Sequence, residues 1–165
     1  MKITFQGNPL TLLGEQLKVG DTLQNFTVSK NDLSPLSLKD TSGVRIFLSV
    51  PSLDTPVCET EVNTFNKRTN EIPGVSVYTI SMDLPFAQTR WCGANGVTNV
   101  ITVSDYKDRE FSNATGTYIE ELGLLARAVF VVDSENKIIY LEYVNEVTDQ
   151  PNFDKVLETV KNNTK

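Results

Sequence analysis

Apolar positions along this chain change their spacing in a way that marks out successive elements. Ile3, Phe5, Leu10 and Leu12 alternate with polar neighbours around Gly7-Asn8-Pro9, which predicts an N-terminal β-hairpin. Val44 to Val50 is an almost unbroken apolar run of strand length, the pattern of a strand covered on both faces. Val62, Phe65 and Ile72 then fall at 0, +3 and +10, on one face of a helix that Pro73-Gly74 ends. Val75 to Ile80 is the next strand, so this stretch reads as a βαβ unit. Asp83-Leu84-Pro85 opens a second helix, with the proline in its first turn and Gly93 as its stop. Val100 to Val103 is a short strand. Ala128 to Val132 and Ile138 to Val144 flank the turn Asp133-Ser134-Glu135-Asn136 and predict a hairpin. Phe153, Val156, Leu157 and Val160 follow at 0, +3, +4 and +7, a helix capped by Asn152.

A βαβ half followed by a ββα half is the order of the thioredoxin-like fold. The predicted architecture is therefore α/β, a mixed central sheet flanked by helices, with the N-terminal β-hairpin added. No linker, repeat or charge block interrupts the 165 residues, which read as a single domain spanning 1–165. Early interruption of the apolar positions by Gln6, Gly7, Asn8 and Pro9 argues against a signal-peptide core, and no membrane span is expected. A cytoplasmic location follows as the expectation.

Charge and composition narrow the chemistry. Fifteen Lys and Arg stand against twenty-one Asp and Glu, a net charge of −6 with no basic stripe, which argues against a nucleic-acid partner. The chain has no histidine, which excludes Ser-His-Asp and Cys-His hydrolases together with histidine metal sites and general bases. Two cysteines are too few for a Cys₄ zinc site or a disulfide-dense scaffold. Asp54, Asp83 and Asp105 lie near strand ends, where carboxylates more commonly serve turns and helix caps than a metal. There is no GxGxxG and no Walker-type loop, so neither a cofactor nor a metal is expected.

The remaining chemistry rests on three side chains. Cys58 follows Thr55-Pro56-Val57; Thr55 can cap a helix and Pro56 suits its first position, which puts Cys58 in the first turn. Free N–H groups and the positive end of the helix dipole favour a thiolate there. A cysteine buried beneath the helix as a small hydrophobe is the other reading. Cys92, 34 positions later, precedes Gly93 at the end of its helix, where a thiolate is disfavoured; it is either a late-acting partner or packing beside Trp91. Arg127 interrupts the uncharged run Leu124 to Val132 and needs an anion or carbonyls if buried. Glu120, Glu121 and a Cys58 thiolate are its candidate partners.

The string Pro51-x-x-x-Thr55-x-x-Cys58 resembles the peroxidatic motif of the peroxiredoxins. With DLPFAQTRWC and ARAVFVVD downstream, nearly the whole chain is similar to the bacterial thiol peroxidase branch, the atypical two-cysteine peroxiredoxins. The resemblance implies that Cys58 attacks a hydroperoxide and becomes sulfenic acid, and that Cys92 resolves it as an intramolecular disulfide. It implies that Thr55 and Arg127 orient and polarise peroxide and thiolate, while Pro51 shapes the loop. It further implies hydrogen peroxide and organic hydroperoxides as substrates, with alkyl ones favoured, thioredoxin as reductant, and a homodimer. Where relatives often carry Tyr-Gly-Val, this chain has Thr115-Gly116-Thr117.

A disulfide needs Cα atoms within roughly 7 Å. One cysteine begins a helix and the other ends one, so either the Asp83–Gly93 helix or the first turn at Cys58 is expected to unwind on oxidation. Two other readings stay open at this point: a thiol–disulfide oxidoreductase or peroxide sensor on the same fold, and a binding domain with two inert cysteines. The missing CxxC counts against the oxidoreductase, and slow thiol reactivity would favour the inert domain.

Overall fold

The computed structural model describes residues 1–164. The chain opens with strands β1 (Lys2–Phe5) and β2 (Asn8–Leu13), followed by the short pair β3 (Thr27–Ser29) and β4 (Pro35–Ser37). The βαβ unit follows as β5 (Val44–Ser49), α1 (Pro56–Arg68) and β6 (Val75–Ser81). Next come α2 (Pro85–Asn95), β7 (Val100–Ser104), α3 (Glu110–Thr115), and the two-residue strands β8 (Tyr118–Ile119) and β9 (Leu124–Leu125). The chain closes with β10 (Ala128–Val132), β11 (Ile138–Tyr143) and α4 (Phe153–Asn163).

The main sheet has the order β11-β10-β5-β6-β7-β3-β4, with β5, β6 and β7 parallel and the other pairings antiparallel. A smaller sheet, β1-β2-β8-β9, carries the N-terminal hairpin. This is the mixed α/β architecture expected from the order of elements.

Alternation along the central strands divides the core in two. On β5 and β10, Phe47, Ala128, Phe130 and Val132 face a cluster with Phe26, Phe111 and the small sheet's Ile3, Leu12, Ile119 and Leu125. Ile46, Leu48, Val129 and Val131 face the opposite cluster, with Val62 and Phe65 of α1, Trp91 of α2, and Val156, Leu157 and Val160 of α4. Both faces are therefore dry, which is why these strands read as continuous apolar runs. None of the described helices is long and apolar enough to cross a membrane.

Several boundaries differ from expectation. Helix α1 ends at Arg68, a 3₁₀ turn occupies Thr69–Glu71, and Ile72 lies beyond both. Helix α2 runs through Gly93 and stops only where Gly96 takes the left-handed conformation, its N–H donating to the Cys92 carbonyl. The N-terminal hairpin turns at Gln6-Gly7, both with positive φ, so Asn8 and Pro9 belong to β2. The β3–β4 pair, α3, β8 and β9 had no predicted counterpart.

Candidate active site

Local chemistry places Cys58. Thr55 has an extended backbone and its Oγ1 accepts from the Cys58 N–H at 3.2 Å, while Pro56 is the first residue of α1. The Thr55 hydroxyl donates in turn to the Ser52 carbonyl at 3.3 Å, folding the approach loop back on itself. Asp83 braces that loop from the end of β6, accepting from Ser52 Oγ and the Leu53 N–H. These contacts set the Cys58 sulfur at the positive end of α1, with its side chain wholly buried.

Arg127 joins it from the entry of β10. Its Nη2 donates to Cys58 Sγ at 3.3 Å, its Nη1 to Glu61 Oε2 at 2.5 Å, and its Nε to the Val147 carbonyl at 2.9 Å. All three charged or reactive groups are shielded from solvent. The candidate partners Glu120 and Glu121 are not used: both are exposed, and Glu121 accepts from the Thr11 N–H instead. Glu61 is the residue that sequence reasoning missed. It follows Cys58 by three positions and precedes Val62, so a carboxylate on the apolar stripe of α1 was the available signal.

Burial pushes the Glu61 carboxyl up to about 7, against the pull of the Arg127 charge and its hydrogen bond. Its Oε1 has no hydrogen-bond partner. For Arg127, burial opposes the charge, but Glu61 and the Cys58 sulfur more than offset it, and the guanidinium is held above its ordinary value. A fixed cation therefore faces the sulfur alongside a carboxyl poised near neutrality.

Burial of an arginine in an apolar strand does not by itself make a site. Arg45, also buried, donates to the Gly43 and Asp133 carbonyls and to Thr41 Oγ1, with no sulfur or carboxylate partner. The carboxylates weighed for a metal are used otherwise: Asp83 in the brace above, and Asp105 in accepting the Phe111 and Ser112 N–H groups at the start of α3. Asp54 is exposed. Among the described residues, no three His, Cys, Asp or Glu side chains are grouped to hold a metal.

Beside the Arg127–Cys58 pair lies a cavity of about 400 Å³ to which Pro51, Thr55 and Arg127 contribute, so three of the five predicted site residues line it, with Val57 among their neighbours there. Phe5 and Leu124 add to its largely apolar wall. Cys92 stands elsewhere, half-buried in the last turn of α2, its Sγ 3.3 Å from Thr102 Oγ1. A second cavity of about 400 Å³ lies between the Cys58 loop and α2, lined by Leu53, Asp54, Glu59, Arg90 and Trp91 among others. Both cysteines are free thiols. Thr115-Gly116-Thr117 lies outside the cavity that Arg127 lines: Thr115 and Thr117 are buried with their hydroxyls paired at 2.9 Å.

Comparison with known proteins agrees with the fold. A sequence model of the family described as Redoxin matches residues 18–157. The thiol peroxidase of Clostridium acetobutylicum is 60% identical over 161 residues, covering 98% of each chain. The thiol peroxidase of Bacillus subtilis is 51% identical over 161 residues, covering 97% of this chain and 96% of its own. A crystal structure of a peroxiredoxin-like protein from Aquifex aeolicus superposes with a TM-score of 0.92 at 42% identity, covering 98% of this chain and 96% of its own.

Proposed function

The chain belongs to the Redoxin family and, within it, to the thiol peroxidases, enzymes of thiol-dependent peroxide reduction; from that premise we propose that Cys58 is the peroxidatic cysteine and Cys92 the resolving one. The observation that carries this reading is the contact of Arg127 Nη2 with Cys58 Sγ at 3.3 Å, made at the N-terminus of α1 by an arginine that also lines an apolar cavity.

Peroxide enters the cavity and meets Cys58, whose sulfur reacts as the thiolate with the Arg127 guanidinium and the N-terminus of α1 beside it. The sulfur attacks the terminal oxygen, the O–O bond breaks, and its electron pair leaves on the distal oxygen. Arg127 stabilises that departing charge, joined by the Thr55 hydroxyl once it turns from the Ser52 carbonyl, and the oxygen takes a proton and leaves as alcohol or water. Cys58 is now a sulfenic acid. The Cys92 sulfur attacks it, the S–O bond breaks, hydroxide takes the Cys92 proton and leaves as water, and an intramolecular disulfide remains. A thioredoxin-type dithiol then restores both thiols and is itself oxidised to a disulfide. Pro51, buried at the cavity's edge, excludes water from the sulfenic acid.

The homodimer and a reducing, cytoplasmic setting belong to the same proposal. Leu84 and Phe86, exposed together at the start of α2, offer apolar surface for a second copy, which sedimentation velocity tests.

The deciding experiment adds one equivalent of cumene hydroperoxide to the fully reduced protein without oxygen, followed by thiol count and intact mass. Loss of both thiols within seconds and a mass drop of about 2 Da, for two hydrogens, is the expected result. Cys92→Ser should then retain a sulfenic acid on Cys58. Persistence of both thiols for minutes would overturn the assignment.

A further inference from the structure

Part of the cavity's wall is built from two segments that lie far from Cys58 in sequence. One is the β1–β2 turn, which contributes Phe5 and Gln6; the other follows β11 and contributes Val147 and Thr148. A single carboxylate clasps them. Glu146 Oε1 accepts from the Gly7 N–H at 2.9 Å and the Thr4 hydroxyl at 3.0 Å. Its Oε2 accepts from the Thr148 N–H at 2.8 Å and the Thr148 hydroxyl at 2.7 Å. Backbone bonds run alongside: Thr4 N–H to the Asn145 carbonyl, and Val147 N–H to the Thr4 carbonyl, each 2.8 Å. The next carbonyl, that of Val147, receives Arg127 Nε.

We propose that Glu146 is a positioning residue that holds the hairpin over the cavity, and that Phe5, so held, determines which hydroperoxides the enzyme prefers. The inference rests on the reading of this cavity as the peroxide site. Phe5 remains 37% exposed and lines the cavity. Its partner in the hairpin, Asn8, is exposed and offers it no apolar cover. A phenyl ring there contacts the organic group of a hydroperoxide. Hydrogen peroxide carries no such group and engages only the sulfur, Arg127 and Thr55.

Four donors converge on the Glu146 carboxylate. The N–H groups of Thr148 and Gly7 are the main cause that pulls it down to about 2, so the clasp is charged at every pH where the enzyme works. Replacement by glutamine preserves an acceptor for one segment only, because the amide NH₂ faces donors on the other.

The test measures kcat/KM for cumene hydroperoxide and for hydrogen peroxide, with dithiothreitol as reductant, in the full-length protein and in Glu146→Gln, Phe5→Ala and Phe5→Leu. The expected result is a fall of roughly tenfold in the cumene-to-hydrogen-peroxide ratio for Glu146→Gln and Phe5→Ala, carried by KM for cumene hydroperoxide, the scale on which apolar pockets discriminate. Phe5→Leu should retain the ratio. Phe5 is half-exposed, so Phe5→Ala carries the test even where Glu146→Gln folds poorly. Ratios within twofold of wild type in Phe5→Ala, with both peroxides turned over, would overturn the role of Phe5. The same result in folded Glu146→Gln would overturn the clasp. A wild-type protein that reduces neither peroxide would remove the underlying reading of the site, and the inference with it.

Discussion

Glu61 and Arg127, 66 positions apart, form an ion pair closed to solvent on both sides, and the arginine spends its other Nη on the Cys58 sulfur. Burial raises the Glu61 carboxyl to about 7. Below that pH the carboxyl is neutral and the guanidinium serves the sulfur alone; above it, a second anion shares the same cation. The rate of Cys58 oxidation by peroxide should therefore lose part of its Arg127 assistance as pH rises through about 7. Glu61→Gln mimics the protonated carboxyl, so it should match wild type near pH 6 and exceed it near pH 8. Stopped-flow oxidation across that range checks the divergence, and identical profiles would dismiss it.

The same group carries a stability signature. Its folded value lies above the unfolded carboxylate value of about 4.3, so its contribution is fully present below that pH and is lost as pH rises through about 7. Urea midpoints of wild type relative to Glu61→Gln should decline across that window. A flat difference would show that the carboxyl is ionised throughout.

Gly96 and Gly116 offer a matched pair for stability. Both end a helix in the left-handed conformation, with φ of +62° and +67°. A methyl at Gly96 would meet nothing within 4 Å, whereas one at Gly116 would lie 2.6 Å from the Glu15 carbonyl oxygen. Gly96→Ala should cost about 1–2 kcal/mol, the conformational penalty alone. Gly116→Ala should cost clearly more, because the backbone of the Glu15 segment must move. Urea unfolding with an unchanged m value reads both.

What the sequence disclosed and what it hid follow from the range of the interactions. Thr55 and Pro56 announced the start of α1 because capping is settled within four residues, and the structure has the cap as expected. Strands β5 and β10 were legible because both their faces are dry. The partner of Arg127 was hidden by distance along the chain, although Cys58, Glu61, Val62 and Phe65 share one buried face of α1. The end of α2 was misplaced because glycine tolerates helical backbone, and only the left-handed turn at Gly96 releases the chain. Strands β8 and β9 have two residues each, too few for any periodicity.

Cys92 is tethered by Thr102 in the structure, where it is a free thiol. Thr102 has one hydroxyl proton, and Asn31 Oδ1 accepts it at 3.2 Å, so the contact at 3.3 Å with Cys92 has the thiol as donor. That arrangement docks the sulfur against β7 while both thiols are free. Thr102→Val removes the acceptor with little change in volume. Disulfide closure after peroxide addition should speed up, by roughly fivefold for a lost bond near 1 kcal/mol. Quenched-flow alkylation of the remaining thiols measures it, and slower closure would assign Thr102 the opposite role.

Closure of the disulfide should unwind α2 rather than α1. The first turn of α1 is fastened by the Thr55 cap, and the Val57 carbonyl accepts from Gln150 Nε2 at 2.9 Å. Helix α2 has no side-chain cap at Leu84, and of its eleven residues only Pro85, Gln88 and Trp91 are buried. The cavity beside Leu53, Glu59 and Arg90 leaves room on the Cys58 side for the last turn to collapse into, and the Trp91 indole N–H has no partner there to lose. Amide exchange over residues 85–96 should therefore accelerate on oxidation while that over 56–65 changes little. Equal protection of residues 85–96 in the two redox states would mean that the cysteines meet with both helices intact. Acceleration confined to the start of α1 would transfer the hinge to the peroxidatic loop.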